Sequence, residues 1–299
     1  MILAFIWGWS FLFIKVAVQG MTPAAVAWAR VALGAAVILV VLRVRHTRLP
    51  PRSERVQWRH FVVLAVTYNA VPFTLLAWAE QHISSALAAV LNASTPLFAA
   101  VLTAVLLGER LRGAQQAGLL LGFVGVAVAA GVGGDDLAGS SLWGELAVVG
   151  VSACYGFGFT YAQRHVAHIA PVVIAGGQLL AATVILLPVA AVTTAAEGLE
   201  LTLTRMLSIL LLGVMGTGIA YLINYRSIAE LGSTKASVVT YLVPVVAVVV
   251  GVVFLDEAFE AGLVVGGALT IVGIAMLHGR LLPPRTGTSP SSKIRPIEL

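Results

Sequence analysis

From Met1 to about residue 280 the chain is a succession of apolar runs of about 18 residues or more, each cut off by a short polar stretch. Runs that long read as membrane-crossing helices. Composition agrees: 59% of the residues are hydrophobic and only 10% are charged, too few to cover a soluble protein of this size. The sequence therefore predicts an all-α membrane protein whose solvent is the lipid bilayer. Ten segments can be drawn, at 1–18, 23–42, 60–79, 84–107, 113–132, 142–162, 171–193, 205–226, 234–255 and 261–280. PPRSERVQWR separates segments two and three, and GGDDLAGSS separates five and six.

The second feature is a repeat. Adding 148 maps Pro96 onto Pro244, Glu109 onto Glu257, Pro23 onto Pro171, Ser85 onto Ser233, Gly118 onto Gly266 and Gly125 onto Gly273. WGWSF at 7–11 lands on YGFGF at 155–159. So many matches at one offset, with no gap, argue for two copies of a five-helix unit. The copies are 1–133 and 142–281. Residues 282–299, rich in Pro, Ser and Thr, are expected to form a disordered cytoplasmic tail. Because five is odd, the second copy enters the membrane from the opposite side: ten transmembrane helices as two inverted repeats.

Loop charge tests that topology. With the N-terminus in the cytoplasm, the inner loops and tail hold fifteen of the eighteen basic residues, six of them in 43–59. The outer loops keep Arg205, and Lys15 and Arg30 lie within segments. This split places both termini in the cytoplasm. It also explains the net charge of +5 without nucleic acid as a partner. The opening run lacks a basic leader and a small-residue cleavage site, so it does not read as a signal peptide. The lone cysteine, Cys154, permits no disulfide within the chain.

Inverted repeats suit a carrier with a substrate site between the halves. Pro96 and Pro244 each remove a backbone donor and crowd the carbonyl four residues back, at Asn92 and Thr240. Such carbonyls find a partner in a kinked helix or border a wet cavity. Glu109 and Glu257 read as helix caps or loop ion pairs, Glu109 at the start of segment five and Glu257 at the start of segment ten.

Ten spans, two five-span repeats, the WGWSF start, Lys15, Arg30 and the hairpin from Pro96 to Gly108-Glu109-Arg110 resemble the EamA family of the drug/metabolite transporter superfamily. The resemblance covers the chain to about residue 280. It implies a secondary transporter of small metabolites, amino acids or drugs in the bacterial inner membrane. It also implies a central cavity between segments one to four and six to nine, with five and ten as outer supports. The second copy departs from the pattern, with Asp256-Glu257-Ala258 for Gly-Glu-Arg and Gln163 for Lys15.

Trp7, Phe11 and Lys15 fall at i, i+4 and i+8 on one helical face, and Tyr155, Phe159 and Gln163 repeat the pattern. Segment eight carries Thr217, Tyr221, Asn224 and Tyr225 at comparable spacing. Asparagine in hydrocarbon is costly, so that face should look inward, to a cavity or to an interhelical hydrogen bond. Tyr68, Asn69 and Asn92 present the same two readings. The candidate substrate-binding set is Trp7, Phe11, Lys15, Arg30, Tyr68, Asn69, Asn92, Tyr155, Gln163, Tyr221, Asn224 and Tyr225. Gly118, Gly122 and Gly125, with Gly262, Gly266 and Gly273, allow close helix approach, within the chain or in a homodimer.

The six histidines form no metal-binding spacing, no Walker motif appears, and no cofactor is expected. Enzyme chemistry is not expected either, since no carboxylate, histidine or cysteine cluster marks an interface. A non-transporting scaffold or sensor is the alternative to a carrier. Lys15 can snorkel outward. Arg30 lies deeper and has two candidate partners, Glu80, which the topology places on the same side of the membrane, or an anionic substrate group; a structural pair or gate with Glu80 is favoured.

Overall fold

Proline and hydroxyl residues open the helices at the points where the apolar runs begin. Thr22 caps the segment that starts at Pro23, its hydroxyl accepting from the Ala25 amide at 3.2 Å. Ser84 does the same for Leu87, and Thr202 for Arg205. Gly108, at φ 71°, closes segment four in the left-handed conformation that glycine tolerates. A computed structural model describes residues 1–108, 110–131, 141–231, 238–258 and 260–279. Glu109, most of the 133–141 loop and the 282–299 tail lie outside the described residues.

Within the described residues each of the ten runs is helical. Segments one and two are Ile2–Ala17 and Pro23–Val44. Segment three joins Arg55–Leu64 to Val71–Ala79 through a π-helical turn, Ala65–Ala70. Segment four is broken into Ser85–Asn92 and Thr95–Leu107. Segments five, six and seven are Gly113–Ala129, Ser141–His165 and Pro171–Glu197. Segment eight joins Leu203–Gly213 to Ala220–Leu231 through a second π-helical turn, Val214–Ile219. Segments nine and ten are Val238–Leu255 and Ala261–Leu277.

Among the described residues, six of these are long and apolar enough to cross a membrane: segments two, three, four, six, seven and eight. The described parts of the other four are apolar but shorter. A 17-residue helix such as segment five rises about 26 Å at about 1.5 Å per residue, against about 30 Å of hydrocarbon.

The Pro96 kink is satisfied internally. The Asn92 carbonyl accepts from the Thr95 hydroxyl at 2.8 Å and from Ser152 at 3.4 Å. Segment four therefore breaks at Ala93 and Ser94 with its freed carbonyl occupied, whereas Pro244 sits inside an unbroken helix. Glu257 is a cap, but of a different helix from the one its sequence position suggests. Its carboxylate accepts from the amides of Ser85 at 2.6 Å and Ala86 at 2.9 Å, at the start of segment four. Those amides belong to the first helical turn and have no partner within the helix.

The packing between the two halves is reciprocal. Segment one packs on nine and eight, and segment six packs on four and three. Segment two lies against seven, and five against ten. In the last pair a side chain on Gly118 would strike the Gly273 carbonyl, and one on Gly273 the Gly118 carbonyl. Gly125 and Gly266 meet in the same reciprocal way. The glycine stripes are thus used within the chain.

Candidate functional site

A cavity of about 170 Å³ lies between the halves. Segment one contributes Trp7 and Phe11, segment two Arg30, segment three Tyr68 and Phe73, and segment four Asn92 and Thr95. Segment six adds Tyr155 and Phe159, segment eight Tyr221 and segment nine Pro244. The wall is largely aromatic and aliphatic, with a few polar groups set into it.

Seven of the twelve side chains singled out from the sequence line this cavity: Trp7, Phe11, Arg30, Tyr68, Asn92, Tyr155 and Tyr221. Asn69 stands behind the wall, fully buried, and its Nδ2 donates to the Tyr221 hydroxyl at 2.8 Å. Lys15 is not in the lining. Its ammonium donates to the carbonyls of Glu80 and Ile83, just past the end of segment three, where a helix terminus attracts a cation. Gln163 is exposed, two residues from the end of segment six, so the repeat of the Lys15 position does not reach the cavity. Asn224 is half-buried and outside the lining, one turn beyond Tyr221. The Tyr225 side chain lies outside the described residues.

Arg30 is 6% exposed. Its Nε donates to the Thr217 hydroxyl at 2.9 Å, and its guanidinium carbon lies 3.8 Å from the centre of the Phe73 ring. Cation–π stacking of that kind holds a guanidinium flat without neutralising it. The pair with Glu80 expected from their shared side of the membrane does not form as a contact in this structure. Glu80 is fully buried and its Oε2 accepts from the Ser85 hydroxyl at 3.2 Å. Depth along the bundle does not fix azimuth: segment two turns Arg30 toward segment eight, while Glu80 ends segment three beside Lys15. Among the described residues no carboxylate pairs with Arg30.

Phe73 is not among the side chains that the sequence picks out. Its signal is faint: it stands one helical turn past Asn69 on a segment already marked by Tyr68 and Asn69. Two amide oxygens complete the polar inventory. Oδ1 of Asn92 and Oδ1 of Asn69 are buried and accept from no donor among the described residues. Among those residues there is also no group of three or more His, Cys, Asp or Glu able to hold a metal ion.

Helices able to cross a membrane, with a small cavity carrying polar fittings among them, mark a multi-pass membrane protein. The EamA-like transporter family matches residues 1–131 and again 142–278, and the chain belongs to that family. It is 30% identical over 285 residues to the "Probable terminal-alkyne amino-acid exporter" of Streptantibioticus cattleyicolor, covering 95% of this chain and 93% of that one. It is 23% identical over 271 residues to "Uncharacterized transporter YoaV" of Bacillus subtilis, covering 91% and 92%. Against "Uncharacterized inner membrane transporter YedA" of Escherichia coli K12 the identity is 27% over 252 residues, covering 82% and 78%. A crystal structure with a TM-score of 0.64 and 23% identity covers 94% of this chain and 96% of its own, and shares the fold.

Proposed function

We propose that the chain is a secondary carrier. It moves small carboxylate-bearing metabolites, amino acids foremost, across the bacterial inner membrane by alternating access between two inverted five-helix repeats. The observation that carries this reading is Arg30, a buried guanidinium in the cavity wall with no carboxylate partner among the described residues. A buried cation with no anion in contact is costly even with the Glu80 carboxyl acting on it through space, and a substrate carboxylate in contact would relieve that cost. The Asn92 amide oxygen, buried and without a donor among those residues, suits the ammonium of the same molecule. Size argues for metabolites over drugs. A cavity of about 170 Å³ is below the roughly 300–1,000 Å³ of sites for drug-sized ligands.

Three facts support the repeat: the family matches twice, the offset of 148 recurs through the sequence, and the contacts between halves are reciprocal. The distribution of basic residues supports cytoplasmic termini, which puts the loops at 80–84 and 256–260 outside the cell. The amino-acid exporter named among the relatives points to the same substrate class.

Counterflow into proteoliposomes tests the proposal, with labelled L-leucine and L-alanine set against isoamylamine and ethylamine, which lack the carboxylate. Uptake of the amino acids and exclusion of the amines is expected. Equal uptake of both would remove the carboxylate from the recognition scheme. No flux of any solute would favour the scaffold or sensor reading.

A further inference from the structure

Segments three and eight, the third helix of each half, both leave α-helical register at one place. Each does so for six residues, at Ala65–Ala70 and Val214–Ile219, which begin 149 positions apart. A π-helical turn adds one residue to a helix and is usually confined to a single turn. At the repeat offset of 148 the two turns share only Val66 and Val214, so the two halves keep the geometry with little of the sequence.

Each turn offers a hydrogen-bonding group to a cavity residue of the opposite half. In the second half's turn, the Thr217 hydroxyl accepts from Arg30 Nε at 2.9 Å. Its own proton goes to the Leu212 carbonyl, five residues back, at 3.2 Å. That donation fixes the hydroxyl as an acceptor toward the guanidinium. The Gly216 carbonyl in the same turn accepts from Trp7 Nε1 at 3.2 Å. In the first half's turn, Asn69 Nδ2 donates to the Tyr221 hydroxyl at 2.8 Å. Arg30, Trp7 and Tyr221 all line the cavity, and all three are held from across the junction between the halves.

We propose that the two π-turns are the positioning frame of the substrate site. Thr217 is the positioning residue for Arg30, and Asn69 the positioning residue for Tyr221. The inference rests on the carrier reading above, in which Arg30 meets the substrate carboxylate. The π geometry matters because removing the extra residue would rotate the rest of the helix by about 100° and shift it by about 1.5 Å. Thr217 would then leave Arg30. Phe73 stacks on the guanidinium face but does not set its rotation in the plane; the bond at Nε does.

The experiment is a double-mutant cycle on L-leucine and L-alanine transport in proteoliposomes. Thr217→Val keeps the shape and removes the acceptor. It is expected to raise KM ten- to a hundredfold, about the size of a hydrogen bond to a charged group, with the maximal rate within about twofold. Thr217→Ser restores the hydroxyl and should restore KM. Arg30→Gln with Thr217→Val should be no worse than Arg30→Gln alone, since Thr217 acts through Arg30. Asn69→Leu and Tyr221→Phe should likewise fail to add. If Thr217→Val does not fold, Thr217→Ala removes the same acceptor without added bulk.

Wild-type KM in a folded Thr217→Val or Thr217→Ala protein, beside an impaired Arg30→Gln, would overturn the positioning role and leave the carrier reading intact. Full additivity in the cycle would do the same. Normal transport in Arg30→Gln, or no amino-acid flux in the wild type, would bring down both.

Discussion

Lys15 and Arg30 are fifteen residues apart, both cationic, and both set into apolar helices of the first half. Lys15 reaches the carbonyls of Glu80 and Ile83, so its charge is absorbed by the backbone at the end of segment three. Arg30 reaches a hydroxyl and an aromatic ring, neither of which carries a charge. The same signal in sequence has become a structural clamp at one place and, on the proposed function, a recognition group at the other. What separates them is the partner. The rim near residue 80 is rich in loop carbonyls and amides, and both Lys15 and Glu257 engage them. In the cavity wall the Arg30 guanidinium meets a hydroxyl and a ring rather than a carbonyl, so its charge is not absorbed by the backbone.

The sharpest test of that contrast is charge exchange. Under an Arg30–Glu80 gate, Arg30→Glu would be rescued by adding Glu80→Arg. The structure leads to the opposite expectation: the double variant stays inactive, and Arg30→Gln alone lowers kcat/KM for amino acids at least a hundredfold, about 3 kcal/mol. Counterflow with the purified variants measures both, and rescue by the exchange would mean that the two side chains meet in another conformation. The matching test at the rim is Lys15→Met. It removes two hydrogen bonds from a charged donor and should lower stability by about 1–3 kcal/mol, read as the thermal midpoint in detergent, while the KM for amino acids stays within about twofold. A large KM change in Lys15→Met would erase the distinction between clamp and recognition group.

The sequence makes the two cations visible but not their partners. Periodicity fixes a face and a depth along one helix, and this is enough to select Trp7, Phe11, Tyr155 and Tyr221, which the structure brings to one cavity. It does not fix the rotation of one helix relative to another, and so a shared side of the membrane is not enough to bring Arg30 and Glu80 into contact. The π-turns are hidden for a related reason. AVTYNA and VMGTGI contain no breaker that marks an inserted residue, and a wider turn is chosen by packing against the opposite half. The glycine stripes are more legible, because a missing side chain is itself the signal for close approach. Even there the sequence leaves open whether segments five and ten meet each other or a second chain.

The smallest expected effect falls on Glu257, where the rim again answers a charge with backbone. Its two carboxylate oxygens accept from the Ser85 and Ala86 amides, while Ser84 takes the Leu87 amide, so the first three amides of segment four are all occupied. Glu257→Gln preserves shape and one acceptor. The other oxygen becomes an amide nitrogen facing an N–H donor, and the negative charge at the positive end of the helix is lost. Together these should cost about 1–2 kcal/mol, seen as a fall of a few degrees in the thermal midpoint. Because the residue is not in the cavity wall, KM for amino acids should not follow. Glu257→Ala removes both acceptors and should fall further on the same scale, again without a change in KM. If Glu257→Gln were to alter KM as strongly as Thr217→Val, the rim would belong to the recognition machinery, and the division between absorbed and available charge would have to be redrawn.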